Sequence, residues 1–332
     1  MPELDWAPLR SIIENHQSFL ITSHVRPDAD ALGSELGMAA ILQAFGKRVT
    51  ILNATAPPQN LLFMNRNGTV CKLGEDLEKA DIPQTDVCIV VDTSAWQQLG
   101  AMADVVQKAG GIRVVIDHHI SSDNLGATEF RDIEAAATGE LIFEAAQALG
   151  IEFDADTAAF LYAAIATDTG WFRFPSTTAR TMKIAASLMQ CGAEPHVLYG
   201  LVNEQRSLAQ VRLAGRVLSR IHTECDGRLV WISADKTDFE ETKALPSDTE
   251  SLVNQCLTVA GSEAAFIAVE LQSGMVKFSL RCRPPYDVAA LAEKFSGGGH
   301  KLASGATLPG PFSEAVESIR SGFHAMLAGS ER

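Results

Sequence analysis

The chain has 332 residues, 46% of them apolar and 20% charged, a balance that supports a soluble globular protein of two compact domains or one large one and argues against disorder. Its 27 Lys and Arg against 41 Asp and Glu give a formal net charge of −14, which argues against broad sequence-independent binding to long duplexes, since that relies on many Lys/Arg–phosphate contacts. A small anionic substrate is not excluded, because bound cations reverse the local field.

The first half alternates between two periods. Residues 19–23 (FLITS) form a short apolar strand that runs into the loop HVRPDAD, then a helix over 31–45 stopped by Gly46. Residues 48–53 (RVTILN) are the next strand, and VCIVV over 87–91 is a buried strand ending at Asp92. A helix over 97–108 closes at Gly110 and Gly111, and RVVI over 113–116 is another buried strand, ending at Asp117. Apolar strands separated by helices predict βαβ units and a parallel sheet covered on both faces. Ala- and Leu-rich helices follow over 138–149, 155–167 and 178–190, and residues 196–221 read as a long connecting helix or a pair. A second unit begins near Gly227, with strands over 228–233, 264–271 and 276–281, a short helix over 287–295, and the tract SGGGH. The expected fold class is α/β: a parallel sheet with helices on both faces over residues 1–190, a helical linker over 191–224, and a smaller mixed α/β domain over 225–332. The six cysteines form no C-x-x-C pair and read as reduced structural thiols; with no signal-peptide pattern and no apolar run of transmembrane length, a cytoplasmic location is expected and a membrane partner is not.

In open α/β sheets chemistry collects at the carboxyl ends of the strands, and that is where the acids and histidines fall. His24 follows the first strand, Asp28 and Asp30 lie in the loop after it, Asp92 ends VCIVV, and Asp117, His118 and His119 end RVVI. Asp168 closes an apolar helix that can reach the same edge. Each residue alone has an ordinary structural reading: Asp28 and Asp30 as turn or N-cap residues, Asp92 as a helix cap, the histidines as loop residues. Convergence shifts the balance, because four carboxylates at one edge repel unless cations neutralise them. Imidazole mixed with carboxylate suits Mn²⁺ or a similar ion, and the lack of thiolates argues against structural zinc.

His24-Val-Arg-Pro-Asp28-Ala-Asp30-Ala31, the strand-end Asp92, Asp117-His118-His119 and Ala166-Thr167-Asp168-Thr169-Gly170 resemble, in order, the motifs of the DHH phosphoesterase family. The tract ending Ser296-Gly297-Gly298-Gly299-His300 resembles the glycine-rich motif of the DHH-associated C-terminal domain. The resemblance implies that His24, Asp28 and Asp92 bind one divalent cation and that Asp30, Asp92, His118 and Asp168 bind a second, with Asp92 shared. It implies that Asp117 orients a ligand histidine and that His119 lies beside the scissile phosphate. Arg281, Gly298, Gly299 and His300 are then substrate-binding residues facing the metal site across a cleft, although Gly runs are often flexible loops and a strand-end Arg is often a surface charge. Ser296 stands where many relatives have glycine, and Cys282 where serine often follows the arginine.

The activity implied is two-metal phosphoester hydrolysis with two cations, Mn²⁺ by preference, and His119, with His300 as a further candidate, donating a proton to the leaving group. Length and layout resemble the bacterial nanoRNase type, which degrades very short oligoribonucleotides and removes the 3′-phosphate of adenosine 3′,5′-bisphosphate. A phosphodiesterase acting on cyclic or linear dinucleotides is the alternative; a non-catalytic nucleotide-binding protein is disfavoured because every expected ligand position is filled. Short single-stranded RNA or a phosphorylated nucleotide is the expected partner. The resemblance is compatible with a homodimer, which no sequence feature requires.

Overall fold

The computed structural model describes residues 4–329, and these divide into one unit ending at Gln205 and a second beginning at Arg206. The first unit contains α1 (Ala7–Asn15), β1 (Ser18–Thr22), α2 (Ala29–Ala44), β2 (Arg48–Asn53), β3 (Val70–Lys72), β4 (Val87–Val91), α3 (Met102–Lys108), β5 (Ile112–Asp117), β6 (Thr128–Arg131), α4 (Thr138–Leu149), α5 (Ala155–Asp168), α6 (Ala179–Gln190) and α7 (Pro195–Asn203). Its six strands are all parallel, in the order β3-β2-β1-β4-β5-β6.

Every residue of β1 and β4 is buried, as interior strands of a sheet covered on both faces require. Alternate side chains serve the two faces. Phe19, Ile21, Ile89 and Val91 join the core beneath the helices α2, α4 and α5, while Leu20, Cys88 and Val90 meet Met102 and Val106 of α3. Against α5, α2 packs so closely that a Cβ on Gly33 would lie 2.6 Å from the carbonyl oxygen of Phe160. Strand order reverses between β1 and β4, so the crevice at their carboxyl ends is a topological switch point.

The helix expected over 97–108 is broken. A 3₁₀ turn, Trp96–Leu99, precedes α3, and Gly100 between them has φ +53°. The break lets the carbonyl of Gln98 accept the N–H of Val25 at 2.7 Å, which ties down the loop that carries His24.

The second unit contains α8 (Leu208–Leu218), β7 (His222–Glu224), β8 (Leu229–Ala234), α9 (Lys236–Thr242), α10 (Leu252–Cys256), β9 (Ala264–Glu270), β10 (Met275–Cys282), α11 (Val288–Glu293), β11 (Gly298–His300), β12 (Ala303–Pro309) and α12 (Phe312–Ala328). Its sheet runs β11-β12-β10-β9-β8-β7 and is mixed, with only β8–β9 parallel. One face is covered by α11 and α12, the other by α8, α9 and α10. Residues 191–224, expected as a linker, are shared out instead. Leu198 of α7 joins the first core, and Leu213 and Val217 of α8 join the second, because each helix has an apolar stripe to bury. All six cysteines are unpaired. Among the described residues no helix is long and apolar enough to cross a membrane.

Candidate metal centre

The parallel sheet delivers the expected residues to one edge. Asp28 caps α2, its Oδ1 accepting the N–H groups of Asp30 and Ala31 at 3.0 and 3.1 Å, while the same carboxylate stands among the donors of a group able to hold a metal ion. Asp92 follows β4 with φ +59°, a left-handed conformation uncommon outside glycine and tolerated best by Asn and Asp. Asp168 is the last residue of α5.

Two donor groups result, His24 with Asp28 and Asp92, and Asp30 with His118 and Asp168, the donor atoms of each lying within 4.8 Å of one another. Asp92 addresses both. Its Oδ2 is 3.3 Å from His24 Nε2, and its Oδ1 is 3.7 Å from His118 Nε2. His118 Nε2 also stands 3.9 Å from Asp30 and 3.3 Å from Asp168. His119 can join Asp92 and His118 in a third group.

The ring tautomers follow from the partners. His24 Nδ1 donates to the carbonyl of Val25 at 3.0 Å, and His118 Nδ1 to that of Ala135 at 3.2 Å; a carbonyl only accepts, so Nδ1 holds the proton. In each ring Nε2 therefore faces carboxylates. His118 Nε2 is buried without a hydrogen-bond partner, which is costly unless a proton or a cation stands between it and the acids. Burial would lower the pKa of His24, but hydrogen bonding to Asp28 and Asp92 and the charge of Asp92 outweigh it and push it up to about 11. The same contest, with Asp168 and Asp92 as the acids, raises His118 to about 9. Burial holds Asp30 well above the ordinary carboxylate range, and the charges of Asp92, Asp168 and Asp28 add to it. Such a site craves positive charge, and its donor set fits divalent cations.

Asp117 contacts His119 rather than His118. His119 Nδ1 donates to its Oδ1 at 2.8 Å, while Ser94 Oγ donates to its Oδ2 at 2.7 Å. Burial would raise the pKa of Asp117, but these bonds hold it below the usual range, and Asp117 in turn raises that of His119.

In the second unit Arg281 lies on the face of β10 opposite the core residues Phe278, Leu280 and Cys282. Its hydrogen bonds go to neutral groups, Asn254 Oδ1 at 3.3 Å and the carbonyl of Leu280 at 2.9 Å. The glycine tract is no flexible loop: residues 298–300 form β11, paired antiparallel with β12. A Cβ on Gly297 would meet the Gly305 carbonyl oxygen at 2.2 Å, and one on Gly299 that of Ala303 at 2.7 Å, so strand pairing accounts for both glycines. Gly298 faces open space. Ser296 takes φ +56°, a conformation that glycine adopts more readily than serine. Cys282 turns inward, its Sγ near the carbonyl of Lys301 at 3.4 Å.

Thr138 and Gly139, which open α4, carry no ligand motif, yet their N–H groups donate to Asp30 at 2.7 and 2.8 Å. The only trace in the sequence is their place at a helix start, where N–H groups lack intrahelical partners.

Residues 18–165 match the model of the DHH family, N-terminal domain, and residues 236–328 that of the DHHA1 domain. The chain is similar to the bifunctional oligoribonuclease and PAP phosphatase NrnA of Thermus thermophilus, at 29% identity over 95% of this chain and 94% of that one. The protein of the same name from Bacillus subtilis is 30% identical over 89% of this chain and 91% of its own. Among solved structures, an exopolyphosphatase-related protein from Bacteroides fragilis superposes with a TM-score of 0.87 at 27% identity, covering 96% of this chain and 95% of that one.

Proposed function

The chain belongs to the DHH phosphoesterase family, and from that premise we propose that it hydrolyses short oligoribonucleotides to mononucleotides and removes the 3′-phosphate of adenosine 3′,5′-bisphosphate. The observation that carries the reading is the pair of donor groups sharing Asp92, with a buried His118 Nε2 held among three carboxylates at 3.3–3.9 Å. Support for the substrate class comes from relatives that align with nearly the whole chain and are named for these two activities.

His24, Asp28 and Asp92 would hold one divalent cation, and Asp30, Asp92, His118 and Asp168 the second, their mixed donor set suiting Mn²⁺ or a similar divalent ion. Such a pair lowers the pKa of a bound water and offsets charge on the phosphate oxygens. The protein's own part is positional and protonic. Asp117 pins Nδ1 of the half-exposed His119, leaving Nε2 to give a proton to the leaving oxygen, and the raised pKa of His119 keeps that proton available near neutrality. Arg281, with no carboxylate among its hydrogen-bond partners in the described residues, would pair with a substrate phosphate as a guanidinium fork does. Gly298, Gly299 and His300 would complete substrate binding. Long duplexes remain poor substrates, given the net charge of −14.

A Mn²⁺-supplemented panel tests the reading: di- to pentanucleotide RNA, adenosine 3′,5′-bisphosphate, linear and cyclic dinucleotides, and pyrophosphate. Turnover of short RNA and of the bisphosphate is expected. Efficient turnover of the cyclic dinucleotide with little of either would overturn the substrate assignment while leaving the metal site standing.

A further inference from the structure

Thr138 hydrogen-bonds ligands from both donor groups. Its N–H donates to Asp30 Oδ2 at 2.7 Å and its hydroxyl to Asp92 Oδ1 at 2.9 Å. Gly139 N–H reaches Asp30 Oδ1 at 2.8 Å, and the carbonyl of Ala135 accepts a hydrogen bond from His118 Nδ1. The stretch 135–139 therefore supports Asp30, Asp92 and His118 together.

Asp92 needs such support. Its oxygens are divided, Oδ2 toward His24 and Oδ1 toward His118, yet the terminal torsion of an aspartate is broad and does not by itself hold one oxygen to one side. Thr138 Oγ1 is the hydrogen-bond donor that reaches Oδ1 among the described residues, and Thr138 is wholly buried. His24 and Asp28 are braced elsewhere, by the carbonyl of Val25 and the N–H groups of Asp30 and Ala31. Removing the hydroxyl should therefore act unevenly on the two groups.

The surrounding frame does not depend on that hydroxyl. Ala136 N–H donates to the buried Glu140 at 3.3 Å, and Arg180 bridges Asp132 at 2.6 Å and Glu144 at 2.6 and 2.7 Å. A threonine-to-valine change, nearly the same in shape, leaves this frame in place.

We propose that Thr138 is a positioning residue that assigns one oxygen of Asp92 to each cation and thereby sets the affinity of the cation on the His118 side. The proposal rests on the two-cation reading above. Outer contacts of this kind typically tune metal affinity by about 10- to 100-fold.

The test is a calorimetric titration of the metal-free protein with Mn²⁺, run on wild type, Thr138→Val and Thr138→Ser, with thermal melts of each. In Thr138→Val one binding event should weaken about 10- to 100-fold and the other should stay within about threefold. Thr138→Ser should restore the wild-type isotherm, and saturating Mn²⁺ should recover most of kcat in Thr138→Val with little change in KM. Should valine prevent folding, Thr138→Ala gives the same readout. Two unaltered events, or two events weakened equally, would overturn the proposal. A wild-type protein that takes up fewer than two cations would instead overturn the two-cation reading, and the proposal with it.

Discussion

Replacing Gly33 by alanine places a methyl group where α2 meets α5. The added Cβ would lie 2.6 Å from the carbonyl oxygen of Phe160 and 2.8 Å from the Cβ of Ala164. Neither neighbour is the end of a flexible side chain, so the helices must part by several tenths of an ångström. Overpacking of this kind costs about 1–3 kcal/mol, and alanine returns about 1 kcal/mol through its better helix propensity. With backbone as the obstacle the upper part of the range applies, and a net loss of about 1–2 kcal/mol is expected. For a folding unit near 200 residues that is a fall of roughly 3–6 °C in Tm. The same change at Gly215 of α8, where a Cβ meets nothing within 4 Å, should stabilise by about 1 kcal/mol. Urea unfolding of both variants, followed by tryptophan fluorescence and circular dichroism, measures the two signs. Because Asp28 caps α2 and Asp30 lies in its first turn, Gly33→Ala should also weaken Mn²⁺ binding, and Gly215→Ala should not. Gly33→Ala as stable as wild type would refute the claim that helix contact dictates this glycine.

Asp92→Asn should keep the fold, since asparagine tolerates the left-handed backbone, and should lose hydrolysis of short RNA; retention of a tenth of wild-type activity would refute the shared-ligand assignment. Metal uptake should release protons. His24 and His118 have pKa values raised to about 11 and about 9, so in the metal-free protein both are protonated at neutral pH, and Mn²⁺ affinity should climb from pH 6.5 to 9 as protons cease to compete; calorimetry in buffers of different ionisation enthalpy reads the proton count, and a pH-independent affinity would contradict it. Gly298→Ala should fold normally and raise KM, whereas Gly299→Ala, at φ +142° against Ala303, should lower the melting temperature; equal melts for the two would show that strand pairing does not dictate the glycine at 299.

Much of the site was legible because the strand is a local signal. VCIVV and RVVI announce buried strands, and the residues that end them are drawn to one edge whatever the later topology. Asp28 illustrates why single-residue reasoning stalls: its carboxylate caps α2, and only its neighbours His24 and Asp92 reveal that it also belongs to a donor group able to hold a cation. What escaped depends on distant partners. The tract 298–300 reads as a loop until β12 lies beside it, and the short strands β3 and β6 owe their existence to pairing with β2 and β5. Thr138 looks like any residue opening an Ala-rich helix, and its importance comes from Asp92, 46 positions earlier. Gly100 marks a break only because Val25 packs against it: a Cβ there would meet Val25 Cγ1 at 2.3 Å.

The left-handed backbone at Asp92 narrows the substitutions that the strand end will accept. Glycine fits there freely and asparagine and aspartate at small cost, whereas β-branched or bulky residues are strained. Of the three, only aspartate supplies a carboxylate. A descendant of this fold that gave up catalysis could therefore drift most easily to asparagine or glycine at that one position, keeping its shape while losing its chemistry. Genetic variants with Asn or Gly in place of Asp92 should accumulate as well-folded, protease-resistant and inert protein, a lesion that abundance screens overlook and activity screens detect.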